Sequence, residues 1–247
     1  MELEGKVAFV TGGSSGIGAA VCEALARAGA DVALTSFGPR AEPGAVLQAV
    51  RAAGRRSWAA DVDVADFARA EPTVRSAKAA LGRLDIAVLN AGINIDATLL
   101  KMSEQDFDRV IAVNLKGTFN YLRAAGLVLK EQGGGAIVAV ASVNALRGKV
   151  GQANYAAAKA GVVALVRTAA LEFARFGVRV NAVAPGLTET PMTRDMPIEA
   201  RERAVAAIPA GRPASPAEVA EAVLFLASPR AAMVTGETLR VDGGTLA

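Results

Sequence analysis

The chain has two tyrosines, and one of them, Tyr155, is followed four positions later by Lys159. On a helix that spacing puts the phenol and the ammonium on one face. A free phenol titrates near about 10 and is a poor acid–base catalyst at neutral pH. An ammonium beside it favours the phenolate and lowers that value. Tyr155 could then give a proton to a carbonyl oxygen or take one from an alcohol. The other tyrosine, Tyr121, has Ala125 at the equivalent place. A helical Tyr–Lys pair alone is equally the pattern of a surface contact, but Ser142 adds to it. Ser142 follows the apolar run Ala136–Ala141, so its hydroxyl falls at the carboxyl end of a predicted strand. There it can hydrogen-bond a substrate oxygen while Tyr155 handles the proton.

What the chain lacks narrows the chemistry further. It has no histidine and a single cysteine, Cys22. An intrachain disulfide, a Cys/His zinc site and a Ser-His or Cys-His nucleophile pair are all excluded, and no metal ligand set is expected. Dehydrogenases with a histidine acid are excluded as well. Proton transfer falls to Tyr, Lys, Asp, Glu or Cys22.

A second cluster lies near the start. The apolar run Val7–Val10 leads into Thr11-Gly12-Gly13-Ser14-Ser15-Gly16-Ile17-Gly18, and a helix follows. A glycine-rich turn between strand and helix lets backbone approach a pyrophosphate, and helix N-terminal amides hold its charge. Gly12, Ser14, Ser15, Gly16, Ile17 and Gly18 are the candidate phosphate-end residues. The spacing is Gly-x-x-x-Gly-x-Gly rather than Gly-x-Gly-x-x-Gly. In dinucleotide folds an acidic residue about 20 positions on binds the ribose 2′-hydroxyl of NAD. The second predicted strand instead ends in neutral Ser36, with Arg40 close behind. That arrangement favours NADP(H), because a 2′-phosphate meets no carboxylate and has a cation at hand. NAD(H) stays open, since Arg40 is equally well a solvated loop residue.

The elements that must position these groups follow from periodicity. Apolar runs at Val7–Val10, Val32–Thr35, Ser57–Ala60, Ile86–Leu89, Ala136–Val140, Val178–Val183 and Glu237–Val241 read as strands. Amphipathic segments at Ala19–Ala28, Gly44–Ala53, Phe67–Leu81, Asp106–Lys130, Asn154–Phe176 and Pro216–Leu226 read as helices. Strict alternation of the two predicts a doubly wound, Rossmann-type α/β fold with a parallel sheet covered on both faces. Leu187–Pro216 breaks the rhythm with five prolines (Pro191, Pro197, Pro209, Pro213 and Pro216) and is expected to be a substrate lid over the strand ends. No linker interrupts the chain, so residues 1–247 are expected to form one dinucleotide-binding and catalytic domain.

Composition bounds the setting. Hydrophobic residues make up 52% and charged residues 21%, with a net charge of +3. Basic residues are scattered, with none of the clustering that nucleic-acid binding needs. The start lacks a signal-peptide pattern and no apolar stretch is long enough to span a membrane. The expectation is a cytoplasmic protein with no nucleic-acid or membrane partner.

Taken in order, Thr11–Gly18, Asn90-Ala91-Gly92, Asn114, Ser142, Tyr155, Lys159 and Pro185-Gly186 resemble the short-chain dehydrogenase/reductase family over essentially the whole chain. The resemblance implies an enzyme that moves a hydride between a nicotinamide ring and a carbonyl or alcohol carbon. It implies that Asn90, Ala91 and Gly92 close the floor of the cofactor site and that Asp63 and Val64 contact the adenine. Asn114 would hold a water in a proton relay with Lys159, and Lys159 would also grip the nicotinamide ribose. Ser142 would orient the carbonyl, and Tyr155 would transfer the proton. Pro185 and Gly186, with Thr188 and Thr190, would fix the carboxamide end of the nicotinamide. Family members pair matching long helices into homotetramers; the crowding of Val110, Ile111, Val113 and Leu115 fits either that or simple packing on the sheet.

Within the family, Gly151-Gln152-Ala153-Asn154-Tyr155 and Thr235–Gly244 are most similar to the 3-oxoacyl-[acyl-carrier-protein] reductase branch. That implies an acyl-thioester substrate and an acyl carrier protein as an open partner. Three departures matter. Ser15 stands where NADPH-using reductases of this branch often carry a basic residue, which weakens the NADP(H) reading, and the other two favour a smaller free ketone or secondary alcohol. Gly133-Gly134-Gly135 and Arg175-Phe176-Gly177 leave a single arginine where carrier-protein reductases present a basic patch. A remote third reading is a dinucleotide-binding sensor without catalysis, against which the presence of Ser142, Tyr155 and Lys159 argues.

Overall fold

The computed structural model describes residues 1–38, 42–194 and 196–247. The apolar runs form β1 (Val7–Thr11), β2 (Asp31–Ser36), β3 (Ser57–Asp61), β4 (Ile86–Leu89), β5 (Gly135–Val140), β6 (Val178–Pro185) and β7 (Thr238–Val241). They build one seven-stranded sheet in the order β3-β2-β1-β4-β5-β6-β7, and every ladder is parallel. The helices are α1 (Gly16–Arg27), α2 (Gly44–Ala52), α3 (Phe67–Leu81), α4 (Glu104–Val110), α5 (Gly117–Gln132), α6 (Ala153–Phe173), α7 (Pro191–Arg194), α8 (Ile198–Ala206) and α9 (Pro216–Ala227).

Successive strand residues point to opposite faces, so each strand feeds two cores. Phe9 of β1 faces α3, α5 and α6 with Leu89, Ile137 and Val162. Its ring stacks on Tyr121 with centroids 5.7 Å apart. Ala8 and Val10 face the other way, into a core with Val21, Leu34, Val138 and Val223 from the α1 and α9 side. Both faces are covered, which is why β1 and β4 are apolar at every position except the buried Thr11.

The chain leaves β1 toward β2 and β3, then crosses back to place β4 on β1's other side. That reversal opens a crevice beyond the carboxyl ends of β1 and β4, where open α/β sheets bind ligands.

Two helical expectations change. The single helix expected over Asp106–Lys130 is three segments: α4, a π-helical turn at Ile111–Lys116, and α5. The turn carries Asn114, whose backbone carbonyl accepts the Thr118 hydroxyl at 2.7 Å. Periodicity registers an apolar stripe but not one extra residue in a turn. Leu115 from this turn packs against α6, where a Cβ on Gly161 would lie 2.8 Å from it. The helix expected over Asn154–Phe176 is α6 followed by a 3-10 turn at Ala174–Phe176. The proline-rich segment Leu187–Pro216 also holds two helices, α7 and α8, that its irregular pattern hid. Among the described residues, no helix is long and apolar enough to cross a membrane.

Candidate active site

The crevice is a cleft of about 340 Å³, within the range of small-molecule sites. One end is built by the turn after β1. A Cβ on Gly18 would lie 2.1 Å from the Gly12 carbonyl oxygen and 2.5 Å from Asn90 Nδ2. A Cβ on Gly12 would lie 2.9 Å from Ala91 Cα. The turn therefore folds flat against the segment after β4. Asn90 locks it there, donating from Nδ2 to the carbonyls of Thr11 at 3.1 Å and Gly12 at 2.9 Å.

The start of α1 faces this turn without a side-chain cap and without an acidic residue in its first turn. By contrast α3, α4 and α9 are capped by Asp66, Ser103 and Ser215. Uncapped amides beside a close-packed glycine turn suit an anion. The residues present therefore fit the pyrophosphate of a dinucleotide.

Most of the cofactor residues expected from the sequence line this one cleft. Gly12, Ser14, Ser15, Gly16, Ile17, Ser36, Asp63, Val64, Asn90, Ala91 and Gly92 form one stretch of its wall, and Pro185, Gly186, Thr188 and Thr190 another. Gly18 lies behind the turn as a packing residue rather than on the wall. Arg40 lies outside the described residues. Ser36 is buried at the end of β2, level with Asp61 of β3. The segment after β6 reaches over the turn: a Cβ on Gly16 would lie 3.4 Å from the Thr190 methyl group.

The other end holds the candidate chemistry. Ser142, Tyr155 and Lys159 all line it. Ser142 sits two residues beyond β5 and caps the 3-10 turn Val143–Ala145, its Oγ accepting the Asn144 amide at 3.2 Å. Lys159 is buried on α6 and donates from Nζ to the Val140 carbonyl at 2.7 Å. Its Nζ lies 5.7 Å from the centre of the Tyr155 ring. Asn114 is fully buried. Its carboxamide accepts the Ile93 amide at 2.8 Å and donates to the Ile93 carbonyl at 2.9 Å. Asn114 Oδ1 and Lys159 Nζ lie 3.3 and 3.6 Å from the point where a side chain on Gly92 would begin.

The electrostatics correct one expectation. Burial pushes the Tyr155 phenol up, the Ser142 hydroxyl pulls it partly back, and the Asp96 carboxylate pushes it further up. Burial lowers Lys159 to about 8. Without cofactor, then, Lys159 does not depress the tyrosine as its sequence spacing suggested. The lysine is itself short of solvation, and its charge is turned onto a strand carbonyl.

Several contributors are not among the site residues expected from the sequence. Gln152 is buried and bridges three segments. Its Nε2 donates to Asp96 at 2.9 Å and Asn94 at 3.3 Å, and its Oε1 accepts Asn144 Nδ2 at 2.8 Å. Asn154, also buried, donates to the carbonyls of Ile95 at 3.0 Å and Asp106 at 3.3 Å. Both residues precede Tyr155 at the start of α6, Gln152 as the residue just before the helix, and belong to the Gly151–Tyr155 motif. Phe37, Arg109, Val113 and Met192 also line the cleft.

The comparisons with known proteins agree with this construction. The family model described as enoyl-(acyl carrier protein) reductase matches residues 12–245. The 3-oxoacyl-[acyl-carrier-protein] reductase of Thermotoga maritima is 43% identical over 99% of both chains. A short-chain type dehydrogenase/reductase from Mycobacterium marinum superimposes with a TM-score of 0.95 at 32% identity, covering 99% of this chain and 97% of that one. Levodione reductase superimposes with a TM-score of 0.89 at 35% identity, covering 98% of each chain. The chain belongs to the short-chain dehydrogenase/reductase family. It is an oxidoreductase that interconverts a carbonyl and an alcohol with a nicotinamide dinucleotide.

Proposed function

We propose that this enzyme is an NADPH-dependent 3-oxoacyl-thioester reductase with Tyr155 as its proton donor. The observation that carries the chemistry is the convergence of Ser142, Tyr155 and Lys159 at one end of a cleft whose other end is a glycine cradle. Likeness to a 3-oxoacyl reductase across nearly the full chain supports the substrate class. Neutral Ser36 supports the cofactor preference, because the end of β2 offers a 2′-phosphate no carboxylate.

When bound, the nicotinamide ring supplies the hydride. Ser142 Oγ accepts the Asn144 amide, and its proton, directed at Tyr155 without substrate, can be given to the substrate carbonyl oxygen instead. Tyr155, held protonated by burial, donates to the same oxygen as charge builds there. Two placed donors in a site shielded from water stabilise that charge. Lys159 leaves the Val140 carbonyl for the nicotinamide ribose and so brings its charge to the tyrosine. Asn114 braces Gly92 and Ile93 and completes the relay to Lys159. Pro185, Gly186, Thr188 and Thr190 orient the carboxamide. The 187–216 segment acts as the lid of a single 1–247 domain, which the approach of Thr190 to Gly16 supports. Assembly as a homotetramer through α5 and α6 is supported by Phe119 and Leu171, exposed on those helices.

A second reading, reduction of a smaller free ketone, is favoured by the uncharged run Gly133–Gly135 and by likeness to levodione reductase. Initial rates with acetoacetyl-CoA and a panel of small ketones, each with NADPH and NADH, separate the two. Fast thioester reduction with NADPH is expected; turnover of small ketones alone, or with NADH preferred, overturns the first reading. Tyr155→Phe should bind cofactor and lose most turnover, and near-normal rates in that variant would remove Tyr155 from the mechanism.

A further inference from the structure

Among the described residues lining the cleft, only Asp63, Arg109 and Lys159 carry charge. Lys159 belongs to the chemical end. The other two meet each other: Arg109 Nη1 lies 3.2 Å from Asp63 Oδ2. They come from different parts of the chain, Asp63 from the loop after β3 and Arg109 from the last turn of α4. Four residues beyond Arg109, Val113 lines the cleft too, so one helical face is turned toward that end of the site.

The other oxygen of the Asp63 carboxylate is also held. Oδ1 accepts the Ala65 amide at 2.9 Å. The carboxylate is thus fixed in plane by one donor on each oxygen. Each oxygen has a second lone-pair site. A carboxylate so oriented is an acceptor for an amino group and a poor neighbour for a phosphate. Ser36, where a 2′-phosphate would sit, is at the end of a different strand.

We infer that Arg109 is a positioning residue for cofactor binding, which aims the Asp63 carboxylate at the exocyclic amino group of the adenine. This rests on the reading that the cleft takes a nicotinamide dinucleotide with its adenine beside Asp63. Arg109 gives affinity for the base, not for the 2′-phosphate and not for the reacting ring. Without it the carboxylate keeps one donor, can turn away, and leaves the amino group unpaired.

The test is equilibrium binding, followed by cofactor fluorescence, of NADPH, NADH and the hypoxanthine analogue of NADH, which lacks the amino group. Arg109→Met should weaken NADPH and NADH equally, by about tenfold, the size of one charge-assisted hydrogen bond. It should change the hypoxanthine analogue by less than about twofold, since no amino group is there to lose. Arg109→Lys retains a cation that can reach Asp63 and should bind the adenine cofactors within about threefold of the wild type. Equal losses for adenine and hypoxanthine would overturn the inference, as would a loss confined to NADPH or no loss at all. Should Arg109→Met not fold, the Lys variant decides: a loss for adenine well beyond threefold, matched by the hypoxanthine analogue, overturns it. Failure of the wild type to bind any dinucleotide would instead remove the cofactor reading beneath it.

Discussion

Lys159 on α6 donates its ammonium to the carbonyl of Val140, the last residue of β5, at 2.7 Å. The bond ties the helix that carries Tyr155 to the strand that leads to Ser142. It also leaves a buried cation with one identified partner, and burial lowers that cation to about 8. In the unfolded chain the same group titrates at its ordinary 10.5.

The consequence for stability has a definite sign. Below pH 8 both states carry the proton, and the folded state bears the full penalty of a buried charge. Between about 8 and 10.5 the unfolded state binds more protons, so stability rises with pH. At roughly 1.4 kcal/mol per unit, the penalty is at most about 3 kcal/mol. Lys159→Met should therefore stabilise the cofactor-free enzyme at pH 7 by about 1–2 kcal/mol, after the lost Val140 bond is counted. The gain should shrink above pH 8, cross zero before 10.5, and leave the Met variant the less stable protein above that, because the lost Val140 bond then counts alone. Denaturant melts of both proteins at pH 7 and pH 10 check this; a Met variant less stable at pH 7 would show that the lysine is a structural brace. Turnover should collapse in the same variant, as expected of a residue held against stability for function.

Gln152 joins the segments after β4 and β5 to the start of α6. Gln152→Leu keeps the bulk but removes three hydrogen bonds and leaves Asp96 and Asn144 without their partner. Half-buried Asn144 left unpaired costs about 1–3 kcal/mol, whereas exposed Asp96 is re-solvated, so the loop after β5 should shift. The shift should misplace Ser142 and Tyr155, while the glycine cradle after β1 keeps its own bonds to Asn90. The expected result is a kcat reduced by about tenfold or more, with cofactor Kd within about twofold. Equal damage to cofactor binding would mean that the network supports the fold as a whole rather than the catalytic end.

The contrast between Gln152 and Tyr155 shows what the sequence makes legible. Strands are near-continuous apolar runs and helices amphipathic, so the alternation that sets the sheet is written directly in residue type. Tyr155, Lys159 and Ser142 are legible because their chemistry is uncommon at that spacing. Gln152 and Asn154 are legible as part of the motif before Tyr155, but only the tertiary structure reveals that they are buried and what they bond. The π-helical turn at Ile111–Lys116 was hidden for a related reason: one residue of extra circumference barely disturbs an apolar stripe. Arg109 was hidden because its partner Asp63 is 46 residues away. The raised Tyr155 is not legible, because spacing reports proximity to Lys159 but not the desolvation of both groups.

The proposed preference for NADPH rests on Ser36, buried at the end of β2. Ser36→Asp places a carboxylate where a 2′-phosphate would be received and where a 2′-hydroxyl can instead donate to it. The kcat/KM ratio of NADPH to NADH should fall by about a hundredfold or more, from repulsion of the phosphate and gain of a hydroxyl bond, about 3 kcal/mol together. An unchanged ratio would mean that the preference is set elsewhere on the cleft wall.

Gly18 tests the cradle itself. A methyl group there would sit 2.1 Å from the Gly12 carbonyl oxygen and 2.5 Å from Asn90 Nδ2. Both neighbours are constrained, Gly12 by the turn and Asn90 by its bonds to the Thr11 and Gly12 carbonyls. Neither can yield without separating the β1 turn from the segment after β4. Gly18→Ala should cost about 2–3 kcal/mol of stability, as overpacking against backbone does, and weaken dinucleotide binding by at least about a hundredfold. A Gly54→Ala control, at the opposite end of the strands, meets nothing within 4 Å but has a positive φ of 73°. It should lose only the cost of backbone strain, about 1–2 kcal/mol, and leave cofactor affinity intact. Comparable losses of affinity in the two variants would mean that the site responds to general destabilisation. Loss in Gly18→Ala alone would tie the close approach of α1 to its turn directly to cofactor binding.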